Sequence, residues 1–577
     1  MLELADMVNS APMKIKQNLF GKISDKKLFW VITGLCAFLY IIFLGMRALW
    51  DPGESRYGLI AAEMLGNKDF IVPTLNKIKY FEKPPLVYWL NAASMFVFGI
   101  NEFAARLPTA IGAILTVIGT YFFTRRVFSR ETAILSSAIL FASLGFFAYS
   151  QISELEMLFS CFLCWGLGFL IADFERGKRR AIPIHIGYLM LAFACLIKGP
   201  LAFALASVII ITYLTITKQW NRWKRLYPFT GIPLALIVTA PWFIAAGIRE
   251  PEFFKFFFIK EFVMRFFSET HSRTGDVWYY IPILIIAFAP WIVVFFNALK
   301  KIWFMRTGLK PHIRKIFIYL IVWFSICFVV FSLSGSKRPP YILPMLPPLA
   351  IVTGFYFASI WNEKVKLKKT LTALILVQFF LAIALFAAPK YVSHITPDIH
   401  LPLTLPLVVL LIAIISALTL FNKSNAKNLF LLMFTFGVAF NITFYLQSSK
   451  LDNVFSRKAM ARQIKNAVSS EDFKIYSYHA KYERNMQSMG FYTGKRVYIV
   501  GGKGELEFGS TITPDADKYF PSEQQFYNEF KSDTRIFVVL KKERLNILKA
   551  STQATLYPAK ESYAGKLMLV SNKPWDS

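Results

Sequence analysis

The sequence predicts a polytopic α-helical membrane protein with about thirteen transmembrane helices, interfacial helices in its first outward loop and a small soluble α/β domain at its C-terminal end. Two observations predict this fold class. Of the 577 residues, 55% are hydrophobic and 17% aromatic, and the mean hydropathy of +0.47 is typical of chains whose bulk lies in lipid. The composition then changes near residue 450. We therefore expect a membrane domain over residues 1–449 and a soluble domain over residues 450–577.

The predicted spans are stretches of about 20 apolar residues, the length a helix needs to cross a hydrocarbon layer about 30 Å thick. Thirteen such stretches precede the change in composition. They cover approximately residues 28–48, 103–123, 132–150, 155–173, 182–197, 200–217, 227–247, 278–298, 316–333, 341–361, 370–388, 401–421 and 428–446. The stretches 182–197 and 200–217 are short, so the count depends most on them.

Lysine and arginine set the predicted orientation, because short basic loops resist translocation across a membrane. With the N-terminus on the inner side, every second loop is basic, and an odd number of spans exports residues 450–577. The formal charge of +30 is thus explained as a topology signal. We therefore expect no nucleic-acid partner.

The C-terminal segment has short β-rich stretches separated by two helix-like stretches, the pattern of a small α/β domain. The candidate strands lie in DFKIYSYHA, KRVYIV, TRIFVVLKK, ATLYPAK and KLMLVSN, and the candidate helices cover residues 454–468 and 522–531. The glycine-rich stretch at 501–504 lacks the Lys-Ser/Thr ending of a phosphate-binding loop, so we interpret it as a hairpin connection. We expect this domain to cover or support a site in the membrane domain.

The first outward loop, residues 49–102, is too long and too charged for a simple connector. An amphipathic pattern follows Tyr57, and Pro84-Pro85 precede the stretch LVYWLNAASMFVFG. Proline is favoured in the first turn of a helix, and the aromatic content of this stretch suits a helix in the lipid headgroup layer. We expect two interfacial helices here, beside a cluster of charged residues.

Charged and aromatic side chains collect in the outward loops, where cations are costly unless a partner stabilises them. In the first outward loop these are Asp51, Glu54, Arg56, Tyr57, Lys79, Tyr80, Glu82 and Lys83. In later outward loops they are Glu154, Glu156, Lys198, Glu261, Arg265, His271, Arg273, Lys337, Arg338 and Tyr341. Snorkelling to headgroups explains a single outward cation, but the whole set on one side indicates a site.

Carboxylates and cations beside lipid suit a lipid-linked phosphate or diphosphate, because Lys and Arg bind phosphate oxygens while the hydrocarbon tail stays in the bilayer. The carboxylates could bind a sugar's hydroxyl or amino groups, stabilise positive charge at an anomeric carbon, or remove a proton from an acceptor. The pattern therefore indicates glycosyl transfer at the outer face.

Longer motifs carry a resemblance that spans most of the membrane domain. The most specific is FEKPP with the preceding E-x-R-Y, inside the string ESRYGLIAAEMLGNKDFIVPTLNKIKYFEKPPLVYWLNAASMFVFGINEFAARLPTA. The others are LIKGPLA, APWFIAAGIREPEFFKFFFIKEFVMRF, WYYIPILIIAFAPW and KRPPYILPMLPPLA. With these motifs the chain resembles the aminoarabinose transferases that modify lipid A. They belong to the superfamily of C-type glycosyltransferases, which includes the protein O-mannosyltransferases.

The resemblance implies a C-type glycosyltransferase fold and an inverting enzyme. Such an enzyme takes a sugar, 4-amino-4-deoxy-L-arabinose in the family, from undecaprenyl phosphate and puts it on a phosphate of lipid A. The implied location is the bacterial inner membrane, with the active site and the C-terminal domain in the periplasm. The implied partners are the undecaprenyl phosphate sugar donor, the lipid A acceptor and membrane lipids, and we expect a monomer.

The resemblance implies that Asp51 or Glu54, Lys83 and Arg265 lie at the reaction centre. Together with the charged and aromatic residues of the outward loops, it gives the predicted site residues. The predicted catalytic residues are Asp51, Glu54 and Glu156. The predicted substrate-binding residues are Arg56, Tyr57, Lys79, Tyr80, Glu82, Lys83, Lys198, Arg265, Lys337, Arg338 and Tyr341. A phosphomonoester acceptor is already anionic near neutral pH, so we expect the cations mainly to position it and to stabilise the departing lipid phosphate.

Two departures from the family pattern leave the carboxylates unassigned. Many relatives have Asp directly before the Glu of E-x-R-Y, where this chain has Gly53, with Asp51 two residues earlier. The choice between Asp51 and Glu54 therefore stays open. The acidic position at the start of the fourth span is commonly Asp in the family and is Glu156 here, with Glu154 as a competitor.

A third departure concerns metal binding. Relatives often have Glu-His where this chain has Glu261-Phe262, and that His can pair with the Glu of FEKPP in a zinc site. Phe262 cannot bind a metal, so we do not expect this zinc site although Glu82 is present. No cofactor is required by the pattern, and a divalent metal bound in another way, for example through His271, stays open.

The departures also leave the sugar and the acceptor open. The same fold could transfer another lipid-linked sugar, such as the hexosamine galactosamine, to lipid A, or could glycosylate a protein or another glycan. A non-enzymatic lipid transporter is the remaining alternative. Such a protein places polar groups at mid-bilayer, whereas the middle of most predicted spans here is free of charge.

Overall fold

The computed structural model describes residues 25–175, 180–264, 275–363, 367–395, 404–422, 425–468, 472–482, 486–559 and 567–575. Arg265, His271 and Arg273 lie outside these ranges, and so do the predictions made for them.

The membrane domain is a bundle of apolar helices. They are α1 (Asp25–Ile41), α2 (Gly53–Asn67), α3 (Leu86–Phe98), α4 (Glu102–Val127), α5 (Arg130–Ala142), α6 (Leu144–Ser150), α7 (Leu155–Glu175), α8 (Ala181–Lys198), α9 (Leu201–Ile216), α10 (Pro228–Arg249), α11 (Tyr280–Ala287), α12 (Ile292–Met305), α13 (Pro311–Leu333), α14 (Leu346–Ile360), α15 (Lys368–Ile395), α16 (Thr404–Asn422) and α17 (Ala426–Ser448). A π-helical segment covers Lys255–Met264, and 3-10 turns cover Trp220–Leu226, Val277–Tyr279 and Pro339–Met345.

Each predicted span has a helical counterpart, but the count of thirteen membrane spans is not confirmed. Among the described residues, eight helices are long and apolar enough to cross a membrane, or ten if each of two bent pairs is one span. The first bent pair is α5 with α6, at 65°, and the second is Val277–Ala287 with α12, at 103°. Pro290 lies in the second break, where a proline cannot continue a helix because it lacks the N–H. The counterparts α1, α9 and the apolar part of α16 are shorter than a full span.

The two predicted interfacial helices are confirmed as helices. They are α2 and α3, and a short antiparallel hairpin of β1 (Thr74–Leu75) and β2 (Ile78–Lys79) lies between them. Helix α3 begins directly after Pro85, as the proline pattern predicts. Its C-terminal part is open, with Phe96 81% exposed, which suits contact with lipid. Helix α2 is instead buried over much of its length, because the C-terminal domain packs on it.

The C-terminal segment folds around a five-stranded mixed sheet. Its helices are α18 (Asp452–Phe455), α19 (Lys458–Ala467), α20 (Gln487–Thr493), α21 (Glu507–Ile512), α22 (Glu523–Phe530) and α23 (Leu545–Thr552), and its strands are β3 (Phe473–Tyr478), β4 (Val497–Val500), β5 (Arg535–Lys541), β6 (Tyr557–Pro558) and β7 (Leu567–Ser571). The strand order is β4-β3-β5-β7-β6. Strands β4, β3 and β5 are parallel, and β5, β7 and β6 are antiparallel.

All five predicted strands are present, and so is the predicted helix near residue 522, where Ser522 forms a capping box. The helical stretch predicted over 454–468 is split between α18 and α19. The interpretation of 501–504 as a hairpin connection was wrong. Strand β4 lies at the sheet edge and runs parallel to β3, so the chain leaves it through a 3-10 turn, Gly504–Leu506, and enters α21.

The C-terminal domain is docked on one end of the bundle, which we call the capped end. The Phe508 ring stacks on Phe256 with 3.8 Å between ring centres and 7° between planes. The side chain of Asn76 exchanges two hydrogen bonds with the backbone of Val497, at 2.8 and 2.9 Å. The domain thus contacts both the hairpin that follows α2 and the π-helical segment. Its Phe491 ring also lies against Gly58 of α2, so the domain lies over α2.

Candidate active site

Glu54, in the first turn of α2, is engaged by two arginines. Its Oε1 accepts a hydrogen bond from Nε of Arg106 at 2.6 Å, and its Oε2 lies 2.7 Å from Nη1 of Arg47. The carboxylate is only 2% exposed. Burial by itself raises the pKa of Glu54, but Arg106 and Arg47 outweigh burial and lower this pKa to about 2. Glu54 is therefore a permanently charged member of a buried ion-pair network.

The Glu54 network also holds the loop that precedes α7. Oε1 of Glu54 accepts a hydrogen bond from the backbone N–H of Ser153 at 3.1 Å. Arg47 donates to the carbonyl of Gln151 at 3.2 Å, and the Ser153 hydroxyl donates to the carbonyl of Ala105 at 2.6 Å. The position of this loop, which carries Glu154 and leads directly to Glu156 in the first turn of α7, thus depends on Glu54.

Asp51 connects the membrane domain to the C-terminal domain. Its Oδ1 accepts a hydrogen bond from the backbone N–H of Ser488 at 2.8 Å, and its Oδ2 accepts one from the Ser488 hydroxyl at 2.5 Å. Nε of Arg457 lies 4.0 Å from Oδ2. Burial raises the pKa of Asp51, although the Arg457 charge opposes this. With its side chain 2% exposed, Asp51 is an interdomain contact.

Four charged residues, Glu154, Glu156, Lys198 and Arg338, form what we call the central cluster. Nη2 of Arg338 lies 2.6 Å from Oε1 of Glu154, and Nη1 lies 3.4 Å from Oε1 of Glu156. Nζ of Lys198 lies 3.8 Å from the same Glu156 oxygen. Among the described residues, the buried Oε2 of Glu156 has no hydrogen-bond partner. Because an unsatisfied buried acceptor is costly, this oxygen is suited to bind a ligand.

Aromatic rings complete the wall of the central cluster. Nζ of Lys198 lies 3.9 Å from the ring centre of Tyr341 and 5.1 Å from that of Phe159. These are cation–π distances, and the rings help to hold an ammonium group in an apolar place. Tyr57 faces the cluster from α2 and interacts electrostatically with Glu156.

Gly53, the first residue of α2, lies against the Glu154 carboxylate. A Cβ atom at position 53 would lie 2.1 Å from Oε1 of Glu154, which is far inside van der Waals contact. With any other residue at this position, the Glu154 carboxylate would have to move away from the place where it contacts Arg338. The carboxylate beside Gly53 is thus Glu154, whereas Asp51 points to the C-terminal domain.

Three further ion pairs, which we call the outer cluster, connect the first outward loop to other segments. They are Lys83–Glu261 at 3.3 Å, Lys79–Glu250 at 2.5 Å and Arg56–Glu505 at 2.7 Å. Nζ of Lys83 also donates to the carbonyl of Glu82 at 2.6 Å. Since the Lys83 charge acts on Glu156 as well, the outer and central clusters are parts of one site.

The remaining predicted site residues lie around these clusters. Tyr80 is buried and interacts electrostatically with Arg56, and so does Glu82. Lys337 donates to a backbone carbonyl at 3.0 Å. Arg265 lies outside the described residues. The structure therefore brings most of the predicted residues to the capped end. Asp51 is held there by Ser488 of the C-terminal domain, and Glu54 is held by Arg47 and Arg106.

Several charged partners in the site were not singled out from the sequence, among them Arg47, Arg106, Glu250 and Glu505. Glu505, which pairs with Arg56, belongs to the C-terminal domain and lies in the 3-10 turn Gly504–Leu506, and no local sequence pattern marks it. Arg106 carried a usable signal, because it is a cation inside a predicted span, and such residues mark buried partners or sites.

The arrangement can bind an anion and a sugar at the same place. Arg338, Lys198 and Lys83 supply positive charge for phosphate oxygens. The buried Glu156 oxygen can accept a hydrogen bond from a hydroxyl or amino group, and the surrounding apolar helices can hold a hydrocarbon chain. The burial of Glu156 and Lys198, which are 3% and 7% exposed, strengthens the charge interactions they make.

Comparisons with known proteins agree with this arrangement. Residues 82–244 match the family model described as dolichyl-phosphate-mannose-protein mannosyltransferase, and residues 460–561 match the aminoarabinose transferase C-terminal domain. The first match contains the outer-cluster lysine Lys83 and the central-cluster residues up to Lys198. The second covers most of the C-terminal domain.

Relatives named undecaprenyl phosphate-alpha-4-amino-4-deoxy-L-arabinose arabinosyl transferase align along the chain. The relative from Shewanella sediminis is 28% identical over 554 residues, which cover 92% of this chain and 95% of that protein. The relative from Photorhabdus laumondii is 33% identical over 349 residues, covering 59% of this chain and 60% of that protein.

The fold is shared with a solved structure. The crystal structure of ArnT from Cupriavidus metallidurans bound to undecaprenyl phosphate aligns with a TM-score of 0.78 and 24% identity, covering 95% of this chain and 99% of that one. The first family match lies within the membrane helices of this chain, and the second lies within its C-terminal sheet domain. The chain therefore belongs to the aminoarabinose transferase family, within the superfamily of the protein O-mannosyltransferases.

Proposed function

We propose that this multi-pass membrane protein is an inverting glycosyltransferase. It moves 4-amino-4-deoxy-L-arabinose from undecaprenyl phosphate to a phosphate of lipid A. The family relatives carry this donor in their names, and the lipid A acceptor follows from the resemblance. The observation that carries the proposal is the buried Glu156 oxygen, which has no partner among the described residues and lies beside Arg338 and Lys198.

The transfer is one displacement at the anomeric carbon. An oxygen of the acceptor phosphate forms the new bond to this carbon, and the bond from the carbon to the undecaprenyl phosphate oxygen breaks. The electron pair of the broken bond stays on the departing phosphate, where Arg338, Lys83 or Lys198 stabilises it. Glu156 contacts the sugar and stabilises the positive charge that develops on its ring. Since the acceptor already carries negative charge, positioning and charge stabilisation contribute to catalysis.

The orientation of the site follows from the charge rule. Helix α4 begins at Glu102, which accepts a hydrogen bond from Tyr492 of the C-terminal domain, and it ends with Arg125 and Arg126 at the start of a basic loop. Basic loops remain in the cytoplasm. We therefore place the capped end, with the central and outer clusters, at the periplasmic face of the bacterial inner membrane, where both lipid substrates would be accessible. We also propose that the protein acts as a monomer.

We propose that the reaction needs no zinc held by the FEKPP glutamate. Position 262 is Phe, which cannot bind a metal, and the neighbouring Glu261 is paired with Lys83. Within the described ranges, no three His, Cys, Asp or Glu side chains come close enough together to hold a metal ion. Treatment with EDTA is therefore expected to leave the transfer rate unchanged, and a loss restored by zinc would contradict this proposal.

The direct test is transfer by the purified protein in detergent, which offers no compartments for transport. Undecaprenyl phosphate-aminoarabinose and lipid A are supplied, and lipid A is analysed by mass spectrometry. A sugar added to a lipid A phosphate is the expected result. Addition only from a galactosamine donor would replace the proposed sugar, and transfer only to protein or another glycan would replace the acceptor. No transfer to any of these acceptors would contradict the proposal.

A further inference from the structure

We propose that Glu154 is the carboxylate that contacts the acceptor phosphate, from a position that Gly53 leaves open. This inference rests on the proposed function and adds a catalytic residue to it. Glu154 lies in the loop before α7, and from the sequence we considered it only as a competitor of Glu156 for the second acidic position.

The first observation is the shared space between the two residues. An ideal Cβ at position 53 would lie 2.1 Å from Oε1 and 3.1 Å from Cδ of Glu154. A side chain at 53 would therefore displace the Glu154 carboxylate from its present position. The space beside the N-terminal end of α2 that Glu154 occupies here is the space that a side chain at position 53 would enter.

The second observation is access. The side chain of Glu154 is 13% exposed, whereas those of Asp51, Glu54 and Glu156 are 2–3% exposed. Asp51 is held by Ser488, and Glu54 by its two arginines. Of the four carboxylates around the start of α2, Glu154 is therefore the one that a second substrate can reach beside a sugar bound at Glu156.

The third observation is the shared arginine. Arg338 binds Glu154 at 2.6 Å and Glu156 at 3.4 Å, so the two carboxylates are held next to each other. If Glu156 contacts the sugar, then a group at Glu154 lies beside the reacting carbon. Arg338 also reduces the repulsion between an anionic acceptor and these two carboxylates.

The chemistry is that of a base which also orients the acceptor. When the acceptor phosphate carries a proton, its attacking oxygen forms the bond to the anomeric carbon and the proton moves to Glu154. The departing undecaprenyl phosphate keeps the electron pair of the broken bond. Glu154 then releases its proton to solvent, to which its side chain has access. Burial raises the pKa of Glu154, with Arg338 opposing and Glu156 adding to the effect, so it is a better base than an ordinary glutamate.

The test measures transfer rates of purified full-length variants in detergent. Glu154→Gln keeps a hydrogen bond to Arg338 but cannot take a proton, and we expect its rate to fall by about 10²–10⁴-fold, the range for loss of a general base. Gly53→Asp alone should also lower the rate, because its side chain collides with Glu154. The double variant Gly53→Asp/Glu154→Ala returns one carboxylate to the same space and should transfer faster than Glu154→Ala.

The matched control is Asp69→Asn, which removes a carboxylate from the first outward loop, the loop that contains Gly53, at a position where Asp69 pairs with Arg249 at the surface. A Glu154→Gln rate close to the wild-type rate would overturn the inference, and so would a folded double variant no faster than Glu154→Ala. These outcomes differ from a failure of the proposed function, in which the wild-type protein itself transfers no sugar. Should Gly53→Asp fail to fold, the Glu154→Gln result alone decides.

Discussion

The guanidinium of Arg338 joins Glu154 and Glu156 across the boundary between a loop and the first turn of α7, with its two terminal nitrogens on different carboxylates. Two carboxylates so close together repel each other unless a cation lies between them. Arg338 precedes the 3-10 turn Pro339–Met345, so the segment KRPP places this cation at the capped end.

Replacing Arg338 by Ala should reduce transfer by about 10²–10³-fold, the range seen when one donor to developing charge is removed. Arg338→Lys should retain part of the activity, because a lysine can pair with one carboxylate but not bridge both. The measurement is the initial rate with the undecaprenyl phosphate donor and lipid A. The control is Arg249→Ala, which breaks a surface pair with Asp69. Equal rates for the two Ala variants would contradict the role of Arg338.

The Tyr341 ring is expected to hold the Lys198 ammonium group. Tyr341→Phe keeps the ring at 3.9 Å from Nζ and should retain most of the activity. Tyr341→Leu removes the ring, and a cation–π contribution of about 0.5–2 kcal/mol corresponds to a loss of roughly 2–30-fold. The comparison of the two variants in the transfer assay is decisive. A Phe variant as slow as the Leu variant would show that the hydroxyl matters and not the ring.

Glu54→Gln should destabilise the protein by about 3–5 kcal/mol, because it leaves Arg106 and Arg47 buried without a counter-charge. The measurement is the unfolding midpoint in detergent. Glu102→Gln serves as a control, since Glu102 pairs with the half-exposed Lys458 and such pairs contribute about 0–1 kcal/mol. A stable Glu54→Gln protein that folds normally but transfers no sugar would instead return Glu54 to a catalytic role.

The two glutamates should respond to pH in opposite ways. The pKa of Glu54 is lowered to about 2, so its contribution to stability is present above the ordinary pKa of glutamate and is lost only as the pH falls toward about 2. The pKa of Glu154 is raised by burial, so its contribution to stability decreases as the pH rises through that pKa. Glu154→Gln should therefore not be less stable than wild type at neutral pH.

The raised pKa of Glu154 also predicts how the transfer rate falls at low pH. If transfer needs the unprotonated Glu154, the wild-type rate should begin to fall at a higher pH than an ordinary glutamate would give. The residual rate of Glu154→Gln should lack this fall, since glutamine does not titrate. Identical profiles for the two proteins would contradict the role of Glu154 as a base.

Phe508→Ala should loosen the C-terminal domain, because its ring stacks directly on Phe256. The stacking itself contributes about 0.5–1.5 kcal/mol, and the expected result is faster proteolysis between the two domains and a lower unfolding midpoint. The control is Ile547→Ala, at an exposed position of the sheet domain. If both variants had the same proteolysis rate and the same unfolding midpoint, the Phe508–Phe256 contact would not be what holds the C-terminal domain on the membrane domain.

Much of this fold could be predicted from the sequence, because the strongest signals are local. Apolar length predicts the helices, Pro84-Pro85 predicts the start of α3, and alternating apolar residues predict the strands of the tail. The number of true spans could not be predicted in this way. The breaks at Ser143 and near Pro290 bend single apolar stretches, and a hydropathy pattern does not report such bends.

The site was predictable as a set of residues but not as a set of contacts. Glu156, Lys198 and Arg338 were recognised as acidic or basic residues on one face, and the structure brings them together. The direction of the carboxylates could not be predicted, because Asp51 is turned toward Ser488, which is remote in sequence. The pairing of Arg56 with Glu505 likewise depends on how the C-terminal domain docks.

The most direct test of the central claim is mass spectrometry of lipid A from cells that make the donor, with the protein absent, present as wild type, or present as Glu156→Gln. We predict an aminoarabinose added to a lipid A phosphate with the wild-type protein only, with equal amounts of both proteins in the membrane. Lipid A that is unchanged by the wild-type protein although the donor is present, or that is modified equally by Glu156→Gln, would contradict the account.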